Sequence, residues 1–339
     1  MNLSTSNIKI LGTGSFKPDF VALNEDFSKT AGLETDDDWI TSRTGIKQRM
    51  FNCGENATNY NMSSKAAERA LKAAGISADD IDIIVASTAT PDFFYPSLAC
   101  LVQNAIGATN AFAIDVSAAC TGFVNALDIV RNYLANGSAK KALIVSGEML
   151  SYHTDFTDRA TCVLFGDGAG AIVLEATDSP KLYAAHLGAI GEKFDEPALY
   201  CKVPYKCNSP FGAKGENFGA VNHVDYIQMD GRAVYKFASD IMPKTVKSVC
   251  EKAGLELSDI DLLIPHQANI RIIKTAMKNL DIPEDKVYVN IEKTGNISSA
   301  CIPVCLDELY ELGRIKAGMK ICMVAFGAGL TYGAVIIEV

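Results

Sequence analysis

Three side chains of this sequence have the types needed for nucleophilic chemistry on a carbonyl group: Cys120, His266 and Asn296. A thiolate can attack a carbonyl carbon, and an imidazole and a carboxamide can donate hydrogen bonds to the oxyanion that forms. Taken alone, each also has a plain structural explanation, as a buried cysteine, a hydrogen-bonded histidine and a helix cap. Whether they act together depends on the elements that position them.

Cys120 lies on a sharp passage from a strand to a helix. The apolar run Ala111–Ile114 predicts a short buried strand, and Phe123, Leu127 and Val130 then recur at helical spacing. Free backbone N–H groups and the positive end of a helix dipole would favour a thiolate at this place. The sequence therefore predicts an activated sulfur nucleophile.

An internal repeat with an offset of 179 residues positions the other two side chains. Ala74–Gly75 and Asp80–Asp82 recur as Ala253–Gly254 and Asp259–Asp261, and Lys141 and Lys320 both open apolar strands. A strand over 261–265 would deliver His266 at its carboxyl end, where open α/β sheets place ligands. Because His266 and Asn296 correspond to Ser87 and Ser117 in the first copy, Cys, His and Asn should face one seam between the copies.

The repeat predicts an α/β protein of two pseudo-symmetric halves. We expect an N-terminal half at 1–178 carrying the nucleophile and a C-terminal half at 179–339 carrying His266 and Asn296. A stretch rich in Gly, Lys, Tyr and Asn around 185–230 fits neither copy and predicts loops over the pocket. In the N-terminal half, helices are expected over 35–43 and 58–74, the second ended by Gly75.

The motifs around these residues resemble one known family. Ser117–Ala118–Ala119–Cys120–x–Gly122, Pro265–His266–Gln267–Ala268–Asn269–x–Arg271 and Gly295–Asn296–x–Ser298 are together similar to β-ketoacyl-acyl-carrier-protein synthase III, the initiating condensing enzyme of bacterial fatty-acid synthesis. The likeness runs from residue 12 to residue 333. It implies a thiolase-like fold with a layered α-β-α-β-α core.

The resemblance also implies a mechanism. Cys120 would take an acyl group from acyl-CoA, and His266 and Asn296 would stabilise the enolate formed when malonyl-acyl carrier protein loses carbon dioxide. Backbone N–H groups of Cys120 and Ala328 would form a second oxyanion site, although family members often carry glycine at the position of Ala328. No cofactor and no metal is needed, and the substrates are acyl-CoA and malonyl-acyl carrier protein.

Several binding residues carry over from the family in the same way. Trp39, Arg43, Arg159 and Asn269 would bind CoA, while Arg271, Lys274 and Lys278, at i, i+3 and i+7 of one helix, would dock the acidic acyl carrier protein. Tyr95 would cross a homodimer interface to close the partner's acyl pocket. The alternatives are a packing anchor for Trp39, a solvated helix face for the lysines and core packing for Tyr95.

Two other functions remain open from the sequence. One is a related ketosynthase of secondary metabolism that condenses or transfers an unusual acyl group, which the long stretch around 185–230 favours. The other is a catalytically silent partner subunit, against which the intact Cys120, His266 and Asn296 count.

Two related families are disfavoured by the residues present. Thiolases place a second cysteine where this chain has Ala325–Phe326, and elongating synthases use two histidines with their cysteine, whereas here the partner of His266 is Asn296.

Composition excludes other classes. The net charge of -9 argues against nucleic-acid binding, and 48% hydrophobic with 21% charged residues is typical of a soluble globular protein. No apolar segment reaches transmembrane length and no secretory pattern opens the chain, so we expect a cytoplasmic protein. The ten cysteines form no C-x-x-C pair, which favours reduced thiols over disulfides or a zinc site. The glycines at 166–170 do not match a dinucleotide or phosphate loop.

Overall fold

The computed structural model describes residues 5–29, 32–193, 196–202 and 226–339. In chain order the strands are β1 (Thr5–Phe16), β2 (Phe20–Leu23), β3 (Gln48–Phe51), β4 (Ile83–Ser87), β5 (Phe112–Val116), β6 (Lys141–Met149), β7 (Asp167–Ala189), β8 (Leu199–Tyr200), β9 (Gln228–Met229), β10 (Leu262–Pro265), β11 (Lys320–Gly327) and β12 (Thr331–Glu338). The helices are α1 (Asn24–Lys29), α2 (Asp37–Thr44), α3 (Asn59–Ala74), α4 (Leu98–Ile106), α5 (Gly122–Ala135), α6 (Gly231–Ala253), α7 (Ile270–Leu280), α8 (Ile291–Thr294) and α9 (Cys301–Glu311).

Local capping explains where the predicted helices begin and end. The Asp36 carboxylate accepts the Trp39 N–H at the start of α2, and the Thr58 hydroxyl accepts the Asn61 N–H at the start of α3. Gly75 ends α3 with a left-handed φ of 68°. Both helices were expected from the sequence, and both are confirmed to within two residues.

The strands follow one continuous path in the order β10-β11-β12-β7-β6-β4-β5, with β1 alongside β7. β4 is parallel to both β5 and β6, and β10 is parallel to β11. The long strand β7 serves both halves, because its first part pairs with β6 and β1 and its last part with β12. The expected division at 178/179 falls inside this strand.

Successive residues of the strands point to opposite faces of the sheet, and helices cover both faces. The result is five layers of alternating helices and strands. In the middle, α5 and α9 pack against Val85 of β4 and Ile264 of β10 in one core. The outer face of the first half packs on α3 and α4, and that of the second half packs on α6 and α7. Continuous apolar strands are therefore covered on both sides. The predicted α-β-α-β-α arrangement is confirmed.

The repeat of 179 residues is visible in the backbone. The 3-10 helices at 78–80 and 257–259 correspond, as do those at 119–121 and 298–300, and both β6 and β11 open on the predicted lysines. Ala119 and Ser298 occupy equivalent positions and share a left-handed backbone, with φ of 45° and 48°. A left-handed conformation is costly for a residue with a Cβ, so its occurrence at matching positions reflects a shared turn geometry.

Two expectations differ from the structure. The strand expected at Ala111–Ile114 forms as β5, but it is an edge strand on which Phe112 is 49% exposed, so its predicted burial is wrong. The apolar run reflects an open sheet edge rather than a covered strand. The loops expected around 185–230 begin later, because residues 185–189 belong to β7, and β8 and β9 pair with each other. The part of that stretch at 203–225 lies outside the described residues.

Among the described residues, no helix combines the length and the apolar character that crossing a membrane requires. The nine cysteines of the described ranges are free thiols, and Cys207 lies outside them.

Candidate active site

Cys120 lies in the turn between β5 and α5, as the sequence predicts. It is half-buried, and the end of β11 packs directly against its backbone. A Cβ on Gly327 would lie 2.9 Å from the Cys120 nitrogen, so only glycine allows these two backbone segments to approach this closely. The tertiary fold thus places the last residues of β11 beside the thiol.

The environment of the Cys120 thiol does not favour the thiolate in the way that the sequence predicts. Burial raises the pKa of Cys120 to about 12, and the negative charge of Glu148 adds to the rise. A hydrogen bond from Ser298 and the backbone at the helix start oppose it, but they are the smaller effects. Desolvation therefore outweighs the helix terminus in the free protein.

His266 follows β10 and is 1% exposed. Its backbone N–H donates to the Val324 carbonyl at 2.7 Å, and its ring meets the Phe326 ring edge-on at 5.5 Å. Burial lowers the pKa of His266 to about 3, so the imidazole is neutral near pH 7. A neutral imidazole can still donate one N–H to an oxyanion.

Asn296 lies in a loop whose backbone is fixed on both sides by residues 164–166. Its N–H donates to the Leu164 carbonyl at 2.9 Å, and its carbonyl accepts the Gly166 N–H at 3.0 Å. The side-chain Oδ1 accepts the Ser298 N–H at 2.8 Å. Because the oxygen is used in this way, the Nδ2 hydrogens of Asn296 are left to donate elsewhere.

Two cavities meet at Cys120. The first, here called the arginine-lined cavity, has a volume of about 230 Å³ and is bordered by Arg43, Arg159, His266, Asn296 and Cys120 among others. The second, here called the apolar cavity, has a volume of about 360 Å³. Its wall includes Cys120, Thr90, Phe94, Leu150, Phe165 and Ile227. The fold thus brings the predicted Cys, His and Asn to one volume, and Cys120 also borders the apolar cavity.

A cationic stack forms the far wall of the arginine-lined cavity. The guanidinium carbons of Arg43 and Arg159 lie 4.5 and 4.6 Å from the centre of the Trp39 ring. Arg159 also donates to the carbonyl of Glu34. Both arginines are exposed and Trp39 is half-buried, so the stack presents two positive charges to a ligand.

Asn269 borders the same cavity, but its polar atoms are engaged within the protein. Its Oδ1 accepts the Arg271 N–H at the start of α7, and its Nδ2 donates to the Arg43 carbonyl at 3.1 Å. It thereby ties α7 to α2, which carries Trp39. Arg271, Lys274 and Lys278 are exposed on one face of α7, and the Arg271 Nε donates to the Ser42 carbonyl.

Ala328 and Tyr95 occupy different surroundings. Ala328 borders the apolar cavity together with Cys120, directly after the close approach at Gly327. Tyr95 is 88% exposed and lies outside the residues that line the apolar cavity of its own chain, whereas its neighbour Phe94 lines it.

Sequence reasoning missed Glu148 and Ser299, which form a buried hydrogen bond of 2.6 Å behind the site. Glu148 is the only charged residue in the apolar run ALIVSGEML, and this could have indicated a buried, hydrogen-bonded carboxyl group, because an unpaired buried carboxylate is costly. Within the described ranges, no three His, Cys, Asp or Glu side chains are arranged to hold a metal ion.

Comparison with known proteins finds relatives that match nearly the whole chain. Residues 114–191 match the family model described as 3-oxoacyl-[acyl-carrier-protein] synthase III, and residues 250–339 match the model of its C-terminal part. The β-ketoacyl-[acyl-carrier-protein] synthase III of Clostridium acetobutylicum is 42% identical over 98% of this chain and 99% of its own length.

Solved structures agree with the sequence relatives. The crystal structure of 3-oxoacyl-[acyl-carrier-protein] synthase III from Aquifex aeolicus matches with a TM-score of 0.87 and 40% identity, covering 99% of this chain and 100% of that one. The priming β-ketosynthase of the R1128 polyketide biosynthetic pathway matches with a TM-score of 0.86 and 32% identity, covering 99% and 97%.

Proposed function

The chain belongs to the β-ketoacyl-acyl-carrier-protein synthase III family of thiolase-like, acyl-transferring condensing enzymes of fatty-acid synthesis, and from this premise we propose which of its residues do the chemistry. Cys120 is the nucleophile, and His266 and Asn296 are the enolate-binding donors. The observation that carries this assignment is that all three border one cavity, although they are distant in sequence.

Acylation uses the thiol of Cys120. Its sulfur attacks the thioester carbonyl of acyl-CoA, and the thiol proton leaves with the CoA sulfur, so that an acyl-cysteine and free CoA result. The acyl chain then occupies the apolar cavity, which Cys120 also borders. Because burial raises the pKa of Cys120 in the free enzyme, proton transfer accompanies attack instead of preceding it.

Decarboxylation uses the two donors. When malonyl-acyl carrier protein loses carbon dioxide, the electron pair of the broken C–C bond forms an enolate whose oxygen accepts hydrogen bonds from His266 and Asn296. A neutral His266 and an Asn296 amide oriented by Ser298 are both supplied as donors before substrate arrives. Preorganised donors stabilise charge that appears only in the transition state.

Condensation returns to Cys120. The enolate carbon attacks the acyl-cysteine carbonyl, and the backbone N–H groups of Cys120 and Ala328 bind the oxyanion before the cysteine sulfur leaves. The close approach of Gly327 to the Cys120 nitrogen supports this pairing. Only N–H groups are required, so alanine in place of glycine at 328 is compatible with the role.

The cationic stack is the CoA site. The adenine ring enters beside Trp39, and Arg43 and Arg159 hold the phosphates. Asn269 supports this site by holding α7 against α2. Acyl carrier protein docks on the exposed face of α7 through Arg271, Lys274 and Lys278, which give this acidic enzyme a local basic stripe.

The assembly is a homodimer formed through the open edge at β5. Phe93, Phe94 and Tyr95, in the segment between β4 and α4, are 56%, 68% and 88% exposed, an apolar patch typical of an interface. Tyr95 then reaches the acyl cavity of the partner. The enzyme works without cofactor or metal, and the free thiols of its described cysteines suit the reducing cytoplasm.

Mass spectrometry tests the assignment directly. After incubation with acetyl-CoA, the wild type should gain one acyl group on Cys120, and Cys120→Ala should gain none. His266→Ala and Asn296→Ala should acylate normally but lose malonyl-carrier decarboxylation by about 10²–10³-fold each. Equal loss of both half-reactions in these variants would contradict the division of roles. A protein that no acyl-CoA acylates would be a silent subunit.

The pathway is a separate question. Identity of 42% to a fatty-acid enzyme and 32% to a polyketide priming enzyme favours fatty-acid initiation. A panel of acyl-CoA primers with malonyl-acyl carrier protein decides it, since elongation of short ordinary primers supports fatty-acid synthesis and strict preference for an unusual acyl group supports secondary metabolism.

A further inference from the structure

Glu148 is a carboxyl group at the end of β6 that no part of the mechanism above uses. It is 0% exposed and lines neither cavity. A buried carboxyl group is costly unless its oxygens are fully paired, so the partners of Glu148 indicate what it does.

Each oxygen of Glu148 binds a different half of the molecule. Oε2 accepts from the Ala89 N–H at 3.0 Å and the Thr90 hydroxyl at 2.9 Å, with the Thr88 hydroxyl at 3.4 Å. Oε1 accepts from the Ser299 hydroxyl at 2.6 Å and the Ser299 N–H at 3.4 Å. The carboxyl group therefore cross-links the two halves at their seam.

Both ends of this cross-link lead to the active site. Ala89 and Thr90 form part of the wall of the apolar cavity. Ser299 directly follows Ser298, whose left-handed φ of 48° is strained for a residue with a side chain and whose N–H orients the Asn296 amide. Strained backbone persists only where its neighbours hold it, and Glu148 holds the next residue.

We propose that Glu148, acting through Ser299, is a positioning residue that fixes the Asn296 loop and thereby aims the Asn296 amide for decarboxylation. This inference rests on the proposed function, because it assigns to Glu148 the support of a donor named there. Ser299 is the counterpart of Cys120 under the 179-residue offset. The first half therefore carries the proposed nucleophile at this position, and the second half carries the hydroxyl that donates to Glu148.

The test separates the two half-reactions in the full-length enzyme. Ser299→Ala removes the hydroxyl that Glu148 binds, and Glu148→Gln keeps the volume but replaces one acceptor oxygen by a donor. Both should lower kcat for malonyl-carrier decarboxylation at least tenfold, with KM within about twofold and acylation of Cys120 within about threefold. Because both variants weaken one link, Glu148→Gln/Ser299→Ala should be no slower than the worse single variant.

Ser146→Ala is the matched control. Ser146 is also buried on β6, but its hydroxyl makes no hydrogen bond to the described residues, so both half-reactions should be unchanged. Unchanged decarboxylation in Ser299→Ala, or equal loss of both half-reactions with a lowered Tm, would overturn the positioning role. Failure of the wild type to acylate would instead refute the proposed function, so the two failures are distinguishable.

Discussion

Replacing Gly327 by alanine tests the oxyanion site most directly. The new Cβ would lie 2.9 Å from the Cys120 nitrogen and 3.3 Å from its Cβ, whereas ordinary contact begins at 3.4 Å. The backbone at Cys120 must therefore move by about 0.5 Å, since a main-chain nitrogen cannot rotate away as a flexible side chain can.

The displacement acts on catalysis more than on folding. Overpacking of this size costs about 1–3 kcal/mol of stability. Loss of one oxyanion donor costs about 10²–10³ in rate. Acylation also forms a tetrahedral oxyanion next to the Cys120 sulfur, so partial misalignment of the Cys120 N–H should slow acylation by about 10- to 100-fold. Single-turnover acylation by acetyl-CoA, followed by mass spectrometry on the intact protein, measures this rate.

Gly191→Ala provides the matched control. No described residue comes within 4 Å of a Cβ built there, so its acylation rate should equal that of the wild type. If Gly327→Ala is folded and acylates within twofold of the wild type, the packing of β11 against Cys120 does not align an oxyanion donor, and the reasoning is refuted.

Three further results are expected. Because burial lowers the pKa of His266 to about 3, the rate of decarboxylation should show no inflection near pH 6.5, and such an inflection would contradict a neutral imidazole. Between pH 6.5 and 3 only the unfolded chain binds this proton, so the free energy of unfolding, measured by urea titration, should fall as the pH is lowered through that range. Trp39→Ala should raise KM for acyl-CoA about 5- to 150-fold at nearly constant acylation kcat, since aromatic stacking on a base contributes about 1–3 kcal/mol. Trp39→Phe should retain most of the affinity, and an unchanged KM would place CoA elsewhere. Ala113→Pro should convert the proposed dimer to a monomer in sedimentation. The backbone N–H of residue 112 and the carbonyl of residue 116 bond residues 82 and 88, which flank β4, so the backbone groups of residue 113 point to the open edge. An unchanged sedimentation coefficient would place the interface on another surface.

Cys120, His266 and Asn296 could be grouped from sequence because the repeat supplies long-range information that periodicity alone lacks. An offset that holds at helix ends and strand starts relates strand ends in two halves, and the backbone carries the same offset into the turns at Ala119 and Ser298. Helix limits at Asp36, Thr58 and Gly75 were predictable for a different reason, since caps are local chemistry.

The exposure of β5 and the rise in the pKa of Cys120 were not predictable in this way. An apolar run looks the same whether its edge is covered by another strand or left open for a partner. A helix start favours a thiolate, but the amount of solvent removed by packing from distant segments decides whether that effect prevails.

By itself, the amino-acid sequence determined the twin-half architecture, the local caps and the grouping of Cys120, His266 and Asn296, because each follows from residue spacing. Only the tertiary structure decided what surrounds those side chains: the contact of Gly327 with Cys120, the cavity shared with Arg159, and the carboxyl group of Glu148 between the halves. These features come from segments far apart in the chain, and desolvation and close contact exist only once those segments have packed together.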